Sequence, residues 1–148
     1  MIVSENNFFK VLTYLKTKDD LALDTETTGL LFKDRLFSII LSIGDGKYSE
    51  GYYFNFNFGV DVEGNLPPHV LPRHWIGCLG TLFADPGKVW YLHNAVFDLG
   101  MLLKEGVCLL GTIHCTLTTE RIIRNNLPSY SLANLVKKYE LGEKLEDK

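Results

Sequence analysis

Cysteine is scarce in this chain, and the three present, Cys78, Cys108 and Cys115, are odd in number and follow no metal-ligand spacing. Neither a disulfide framework nor a thiolate metal site is expected, and the thiols read as reduced. Cys115 reads as a small buried hydrophobe, since the sequence sets no evident base beside it. Positive charge is short as well, 15 Lys and Arg against 18 Asp and Glu for a net charge of −3. Gripping duplex DNA by its phosphates needs clustered basic residues, so that mode is disfavoured. A site whose positive charge comes from metal ions is not. Long apolar runs are missing too, and nothing approaches the ~20 residues of a membrane span. Met1 to Asn7 lacks the basic start and apolar run of a signal peptide, so cytoplasmic residence and no membrane partner are expected. No repeat, low-complexity tract or linker divides the sequence. Its 148 residues, 46% of them hydrophobic, read as one domain, able to bury roughly 68–70% of its unfolded surface.

What is present is acidic and oddly placed. Leu21-Ala22-Leu23-Asp24-Thr25-Glu26 ends an apolar run with two carboxylates. Side chains alternate along a strand, so Asp24 and Glu26 share a face. Like charges side by side are costly unless a cation neutralises them, and a hard divalent ion with oxygen ligands does so. The other reading is a strand running into a polar turn at Thr27-Thr28-Gly29, both acids solvated. A second acidic block follows Val89-Trp90-Tyr91-Leu92, where His93-Asn94-Ala95-Val96-Phe97-Asp98 turns into a helix with Asn94 as N-cap and Asp98 about one turn in. In open α/β sheets functional groups gather at the carboxyl ends of strands, and both blocks lie at such ends.

The remaining pattern gives an α/β order. An amphipathic helix follows Ser4 with Phe8, Phe9, Val11, Leu12 and Leu15 as its stripe. Leu21 to Glu26 reads as the central strand. Arg35 to Ser42 and Tyr48 to Phe58 read as a hairpin around Gly44-Asp45-Gly46. The alternating Tyr52, Phe54, Phe56 and Phe58 are assigned to sheet packing rather than base stacking. Val60 to Pro72 reads as a loop, Arg73 to Phe83 as a helix and Val89 to Leu92 as a strand. Then come a helix over Phe97 to Lys104, a short strand near Val107, and helices near 116–125 and 131–139. Arg121 and Arg124, close together on the first of these last two helices, read as a solvated face, with a phosphate contact as the alternative. His69, His74, His93 and His114 form no ligand cluster and read as structural or surface residues, His93 being the one beside the acidic block.

The blocks Asp24-Thr25-Glu26 and Asn94-Ala95-Val96-Phe97-Asp98 resemble the first two motifs of the DEDD superfamily of 3′–5′ exonucleases. Their flanks are similar to the proofreading exonuclease domains of family A DNA polymerases, bacteriophage-like ones in particular. Ile113 to Thr118 and Ser131 to Tyr139 are similar to the two helices that follow there, so the resemblance covers nearly the whole chain. It implies a ribonuclease-H-like fold with a mixed sheet, antiparallel hairpin strands first and strand–helix units after, flanked by helices. It also implies two divalent ions, Mg²⁺ or Mn²⁺, in a two-metal hydrolysis of terminal phosphodiester bonds. Asp24 would bridge the ions, Glu26 would hold the hydroxide-generating one, and Asp98 would hold the second. Thr27, Leu30 and Asn94 would meet the terminal nucleotide. The implied partners are a single-stranded DNA 3′ end, the nucleoside monophosphate product, and a polymerase domain in the same larger chain.

The family's third motif, a Tyr or His with a following Asp, has no match before Lys148, so residues 1–148 are expected to form one exonuclease-like domain, incomplete at its C-terminal end. Tyr139 with Glu143 is not read as that motif, because Gly142 is a helix stop. At most one ion should bind tightly without substrate, and hydrolysis should be impaired. Two other functions fit: a silent fragment or scaffold of a polymerase that holds a nucleic-acid end, and a ribonuclease-D-like RNA 3′ processing domain.

Overall fold

Alternation fixes the centre of the molecule. The structure is a computed structural model, and it describes residues 1–31, 33–44, 48–56 and 69–141. Strand β1 (Asp20–Thr27) turns Leu21, Leu23 and Thr25 inward, 1%, 3% and 7% exposed, and leaves Asp20, Ala22, Asp24 and Glu26 on its outer face. Antiparallel β2 (Leu36–Gly44) and β3 (Ser49–Asn55) lie to one side of it; parallel β4 (Val89–Leu92) and β5 (Thr112–Cys115) lie to the other. The sheet order is β3-β2-β1-β4-β5. The β2–β3 register runs from Ser38↔Asn55 to Gly44↔Ser49, which makes the expected hairpin, although its turn residues 45–47 lie outside the described residues.

One face of the sheet carries the core. Helix α1 (Phe8–Lys16) supplies Phe8, Val11, Leu12 and Leu15; α2 (Ile76–Phe83) supplies Ile76, Leu79, Leu82 and Phe83; α3 (Ala95–Lys104) supplies Ala95, Met101 and Leu102. These cluster with Leu23, Ile39, Leu41, Phe54, Trp90 and Leu92. Each fully buried Leu or Phe here contributes roughly 1.5–3 kcal/mol relative to exposure. Tyr52, Phe54 and Phe56 are buried in this layer, so the aromatic stripe does pack the sheet, with Phe58 outside the described residues. The Lys88 ammonium, 4% exposed, donates to Lys16 O at 2.7 Å and Lys18 O at 2.6 Å. It thereby pins the end of α1 to the start of β4.

The outer face is covered only in part, beside β4 and β5, by α4 (Thr116–Ile123) and α5 (Leu132–Lys138). The two helices are joined through Glu120, which accepts from the Tyr139 hydroxyl at 2.8 Å and from Lys138 Nζ at 3.1 Å. Burial pushes the Glu120 carboxyl up, but these donors and Arg124 outweigh it and hold it below the ordinary carboxylate value. Tyr139 is thus engaged by Glu120, which agrees with reading it as a helix end; Gly142 and Glu143 lie outside the described residues. Among the described residues no helix is long and apolar enough to cross a membrane.

Some sequence expectations are corrected. The segment near Val107 is not a strand. Gly106, at φ +76°, ends α3 with Gly106 N–H on Leu103 O and Val107 N–H on Leu102 O, which makes Val107 the apolar residue of a helix-terminating motif. The last strand is instead Thr112–Cys115. The helix expected over Arg73 to Phe83 is a 3₁₀ turn (Arg73–Trp75) followed by α2, and the two helices expected near 116–125 and 131–139 are shorter, as α4 and α5. Asn94 holds the N-cap position of α3, but in the left-handed region (φ 65°, ψ 49°) and with no side-chain cap bond. Its role is to turn the chain, which Asn tolerates better than most residues.

Gly111 sets the β4–β5 junction. Its φ is +96° and a Cβ there would stand 2.3 Å from Lys88 O, the same carbonyl that accepts Thr112 N–H to start β5. Gly111→Ala should therefore cost at least about 2 kcal/mol. Gly100→Ala, mid-helix with nothing within 4 Å of the added carbon, should stabilise by roughly 0.5–1 kcal/mol. Urea midpoints of the two variants read both signs, and a neutral Gly111→Ala would show the junction to be pliable.

Candidate active site at the carboxyl ends of β1 and β4

The site begins where the sheet splits. The β1–β4 pairing stops at Ala22↔Tyr91, while β1 stays paired with β2 as far as Thr27. Beyond Ala22 one edge of β1 is therefore free, and the left-handed turn at Asn94 sends α3 back towards it. Asp98 fills the gap. Its Oδ1 accepts from both the Thr25 N–H at 3.1 Å and the Thr25 hydroxyl at 2.6 Å. A strand amide that has no partner strand there is thus satisfied by a carboxylate from the next crossover helix.

Asp98 is 2% exposed. Burial raises its carboxyl to about 6, the charge of Asp24 adds to the rise, and the two Thr25 donors oppose it. Asp24 thus lies near enough to Asp98 for the two charges to oppose each other. Asp24 and Glu26 share the outer face of β1, opposite Ile40 and Ser38. Among the described residues no group of three or more His, Cys, Asp and Glu is gathered closely enough to hold a metal. The fold therefore brings Asp24 and Asp98 to one end of the sheet, with Glu26 two residues along β1, without closing them into a finished cage.

The expected substrate contacts are placed unevenly. A register shift between Glu26 and Thr27 bends the strand end, and Thr27 donates to Gly29 O at 2.8 Å. Asp34 accepts from Leu31 N–H and from the Thr28 hydroxyl, fixing the loop that carries Leu30, 83% exposed. Leu30 is not among the residues lining the Asp24 cleft. That cleft, of about 220 Å³, lies between Asp24, Ile40, Ser42, Tyr91, His93, Thr116 and Leu132. It adjoins a second of about 510 Å³, lined by His93, Asn94, Arg121, Ser129, Tyr130 and Leu132.

Several participants were not legible as such. Thr25, the residue between the two strand acids, holds Asp98 across 73 positions of sequence, and no local pattern announces a partner so distant. His93 is half-buried against the cleft, with Nδ1 2.9 Å from Thr116 Oγ1. Burial lowers its pKa, while the Tyr130 carbonyl and Asp24 act in the opposite sense. Its place directly after a buried strand was the one available signal. Cys115 is partly buried and packs against the core, as expected of a small hydrophobe. Burial pushes its thiol up, but the Thr118 hydroxyl and N–H and the Ala95 and Asn94 N–H groups reverse this and bring it down to about 7. Arg121 lines a cleft rather than only a solvated face.

Comparison with known proteins decides the family. The chain matches the 3′–5′ exonuclease family over residues 1–147. It belongs to the 3′–5′ exonuclease family. A DNA polymerase, DpoZ of Salmonella phage PMBT28, is 32% identical over 136 residues, 90% of this chain but 19% of the polymerase, so the exonuclease chain spans about a fifth of that relative. Among solved structures, Brucella melitensis NrnC with bound Mg²⁺ superposes with a TM-score of 0.62 at 22% identity, over 88% of this chain and 57% of NrnC. Escherichia coli RNase D, an exoribonuclease, gives 0.66 at 19% identity over 97% of this chain and 34% of its own. Both likenesses concern the fold, which is that of the ribonuclease-H-like DEDD nucleases, as the sequence resemblance implied.

The donor type at Asp24, Glu26 and Asp98 of this exonuclease is the one a hard divalent cation takes, although the three are not gathered into a closed site. The set is all oxygen, and one member is a buried acid with a raised pKa that a bound cation would lower again. The raised value also has a consequence for stability. In the unfolded chain Asp98 loses its proton near pH 4; in the fold it keeps it to about 6. The native state binds more protons between these values, so stability falls as pH rises through that window and stays lower above it. Asp98→Asn can still accept both Thr25 bonds and should remove this fall. In thermal melts without metal the variant should match the wild type at pH 4 and exceed it at pH 8. Equal melting temperatures at pH 8 would mean that Asp98 ionises in the fold without cost.

Proposed function

We propose that this domain removes nucleotides from the 3′ end of single-stranded DNA in proofreading fashion, with Asp24, Glu26 and Asp98 as the acids that hold its metal ions. The observation that carries the reading is the buried Asp98 carboxylate, fastened by Thr25 and within electrostatic reach of Asp24. Two carboxyls within electrostatic reach, one buried and the other lining a cleft, are costly in the absence of a ligand, and functional sites accept such costs. Divalent ions bound there would supply Lewis-acid activation of water and neutralise charge at the scissile phosphate. Asp24 lines the cleft and lies within electrostatic reach of Asp98, which supports the proposal that it is shared between ions. Glu26 extends the acidic face beyond it. Thr25 holds Asp98 so that the other carboxylate oxygen, Oδ2, takes neither of its bonds. Asn94 shapes the floor of the adjoining cleft, and the exposed Leu30 stands on the loop after β1 as an apolar contact for the terminal base.

The phage polymerase relative supports DNA as the substrate and a polymerase domain as the neighbour in a longer protein; a nucleoside monophosphate product and cytoplasmic residence belong to the same proposal. The ribonuclease-like alternative has one observation in its favour, the fold shared with RNase D and with NrnC, the latter also solved bound to pGG. A chain holding a nucleic-acid end without cutting it is the remaining alternative.

Three acids make a weaker set than four, because affinity for divalent ions follows the number of charged oxygens and their rigidity. The free chain should therefore bind at most one divalent ion tightly, and hydrolysis by residues 1–148 alone should be slow. Mn²⁺ should support it better than Mg²⁺, which sheds its water reluctantly. Titration calorimetry on the free chain reads the stoichiometry, and two equally tight Mg²⁺ sites would mean another residue completes the set. With 3′-labelled DNA and RNA strands and Mn²⁺, Asp24→Ala should lose at least about 100-fold in rate while folding as well as the wild type or better. An unfolded Asp24→Ala would give that residue a structural role, and faster cleavage of RNA would select the ribonuclease reading.

A further inference from the structure

A polyanionic strand that ends at Asp24 approaches an acidic site on a chain of net charge −3, so each phosphate that lies along the surface needs a counter-charge. The clefts show where one is available. The Asp24 cleft and its larger neighbour share His93 and Leu132 and so form one continuous groove. Among the residues lining that groove Arg121 is the cation that is charged at any working pH.

Its surroundings hold it ready. Arg124 and Lys138 are both drawn to the Glu120 carboxylate, at 3.9 Å and 3.1 Å. Arg121 has no carboxylate partner among the described residues; its guanidinium lies 5.5 Å from the centre of the Tyr130 ring. That ring is itself fixed, because the Tyr130 hydroxyl donates to Arg124 O and accepts Leu127 N–H at 3.3 Å. A guanidinium resting on an anchored ring loses less freedom on meeting a ligand than one on a mobile stem, and its planar fork suits a phosphodiester. The hydroxyls of Ser129 and Ser131, 3.4 Å apart, lie on the same wall.

We propose that Arg121, set on Tyr130, binds a backbone phosphodiester of the single strand upstream of the bond cut at Asp24, and so makes this groove the path of the strand. The proposal rests on the exonuclease reading of the Asp24 site. It predicts that strand length matters: a dinucleotide occupies the acidic end alone, whereas a longer strand reaches Arg121.

The test is fluorescence anisotropy of 5′-fluorescein-labelled oligothymidylates of two and eight nucleotides with the 148-residue chain, with Ca²⁺ in place of Mg²⁺ or Mn²⁺ so that the acids carry a cation while hydrolysis is slowed, over a range of salt. Arg121→Ala should weaken the octamer at least about tenfold, as loss of one charge-assisted contact does, and reduce its salt slope by about 0.7, the value for one phosphate on a single strand. Dinucleotide binding should change less than twofold. Arg124→Ala removes the same charge outside the groove and should leave both ligands unaffected. Equal losses in the Arg121 and Arg124 variants would overturn the proposal in favour of diffuse electrostatics. An equal loss for dinucleotide and octamer would overturn it by placing Arg121 at the terminal nucleotide. Failure of the wild type to bind either ligand would instead sink the exonuclease reading, and this proposal with it. Melting curves of both variants confirm folding, since both arginines are exposed.

Discussion

The two bonds from Thr25 to Asp98 are the constraint on which the site depends. They exist because β4 is short. A longer β4 would have paired with the outer half of β1 and occupied the Thr25 amide, leaving no gap for a helix to plug. With β4 ending at Leu92, the amide is met by a carboxylate carried in the first turns of α3. The same contact closes the sheet, sets the depth of α3 and fixes one acid beside another. Gly106 and Gly111 then bring the chain out of α3 and back along β4, which keeps α3 tight against the gap.

Electrostatics on the two sides of the sheet are handled differently. On the core side, the Lys88 ammonium is met by main-chain carbonyls and the Arg73 guanidinium donates to Leu36 O, Phe56 O and the Glu105 carboxylate, so these two charges are paired where they join elements. On the outer side, Glu120 gathers Arg124, Lys138 and Tyr139 into one cluster that joins α4 to α5. At the end of β1 two carboxyls, Asp24 and Asp98, oppose each other. That contrast separates a site from scaffolding more clearly than the charge count, because acidic pairs without a cation raise the free energy of the apo fold and persist where a ligand relieves them.

The two clefts show how a weakly charged protein can address a polyanion. On the proposed reading, counter-charge would come at the acids from the ions they hold and at Arg121, set on the Tyr130 ring, while Arg124 and Lys138 are engaged by Glu120. Such an arrangement suits contact with a few terminal nucleotides and not the long tracts that broad phosphate contact requires.

Much of this was open to inspection in the residues themselves. Alternation through Leu21, Leu23 and Thr25 gave a half-buried central strand and put Asp24 and Glu26 on one face, because the side-chain period of a strand is two. The β2–β3 hairpin and the helix entered at Asn94 followed from turn chemistry and spacing, and the two motif blocks pointed to the family. Hidden were features whose cause lies far along the chain. The hold of Thr25 on Asp98, the Cys115 thiol amid four donors, and Arg121 beside the acidic groove all depend on which elements the sheet order makes neighbours. Val107 was misread for a related reason, since a Gly at positive φ turned an apolar residue into a helix terminator. Local sequence determines periodicity, caps and the residue types that can do chemistry; only the packing of the crossover helices against a split sheet decides which of those residues meet, because those contacts join positions that share no local pattern.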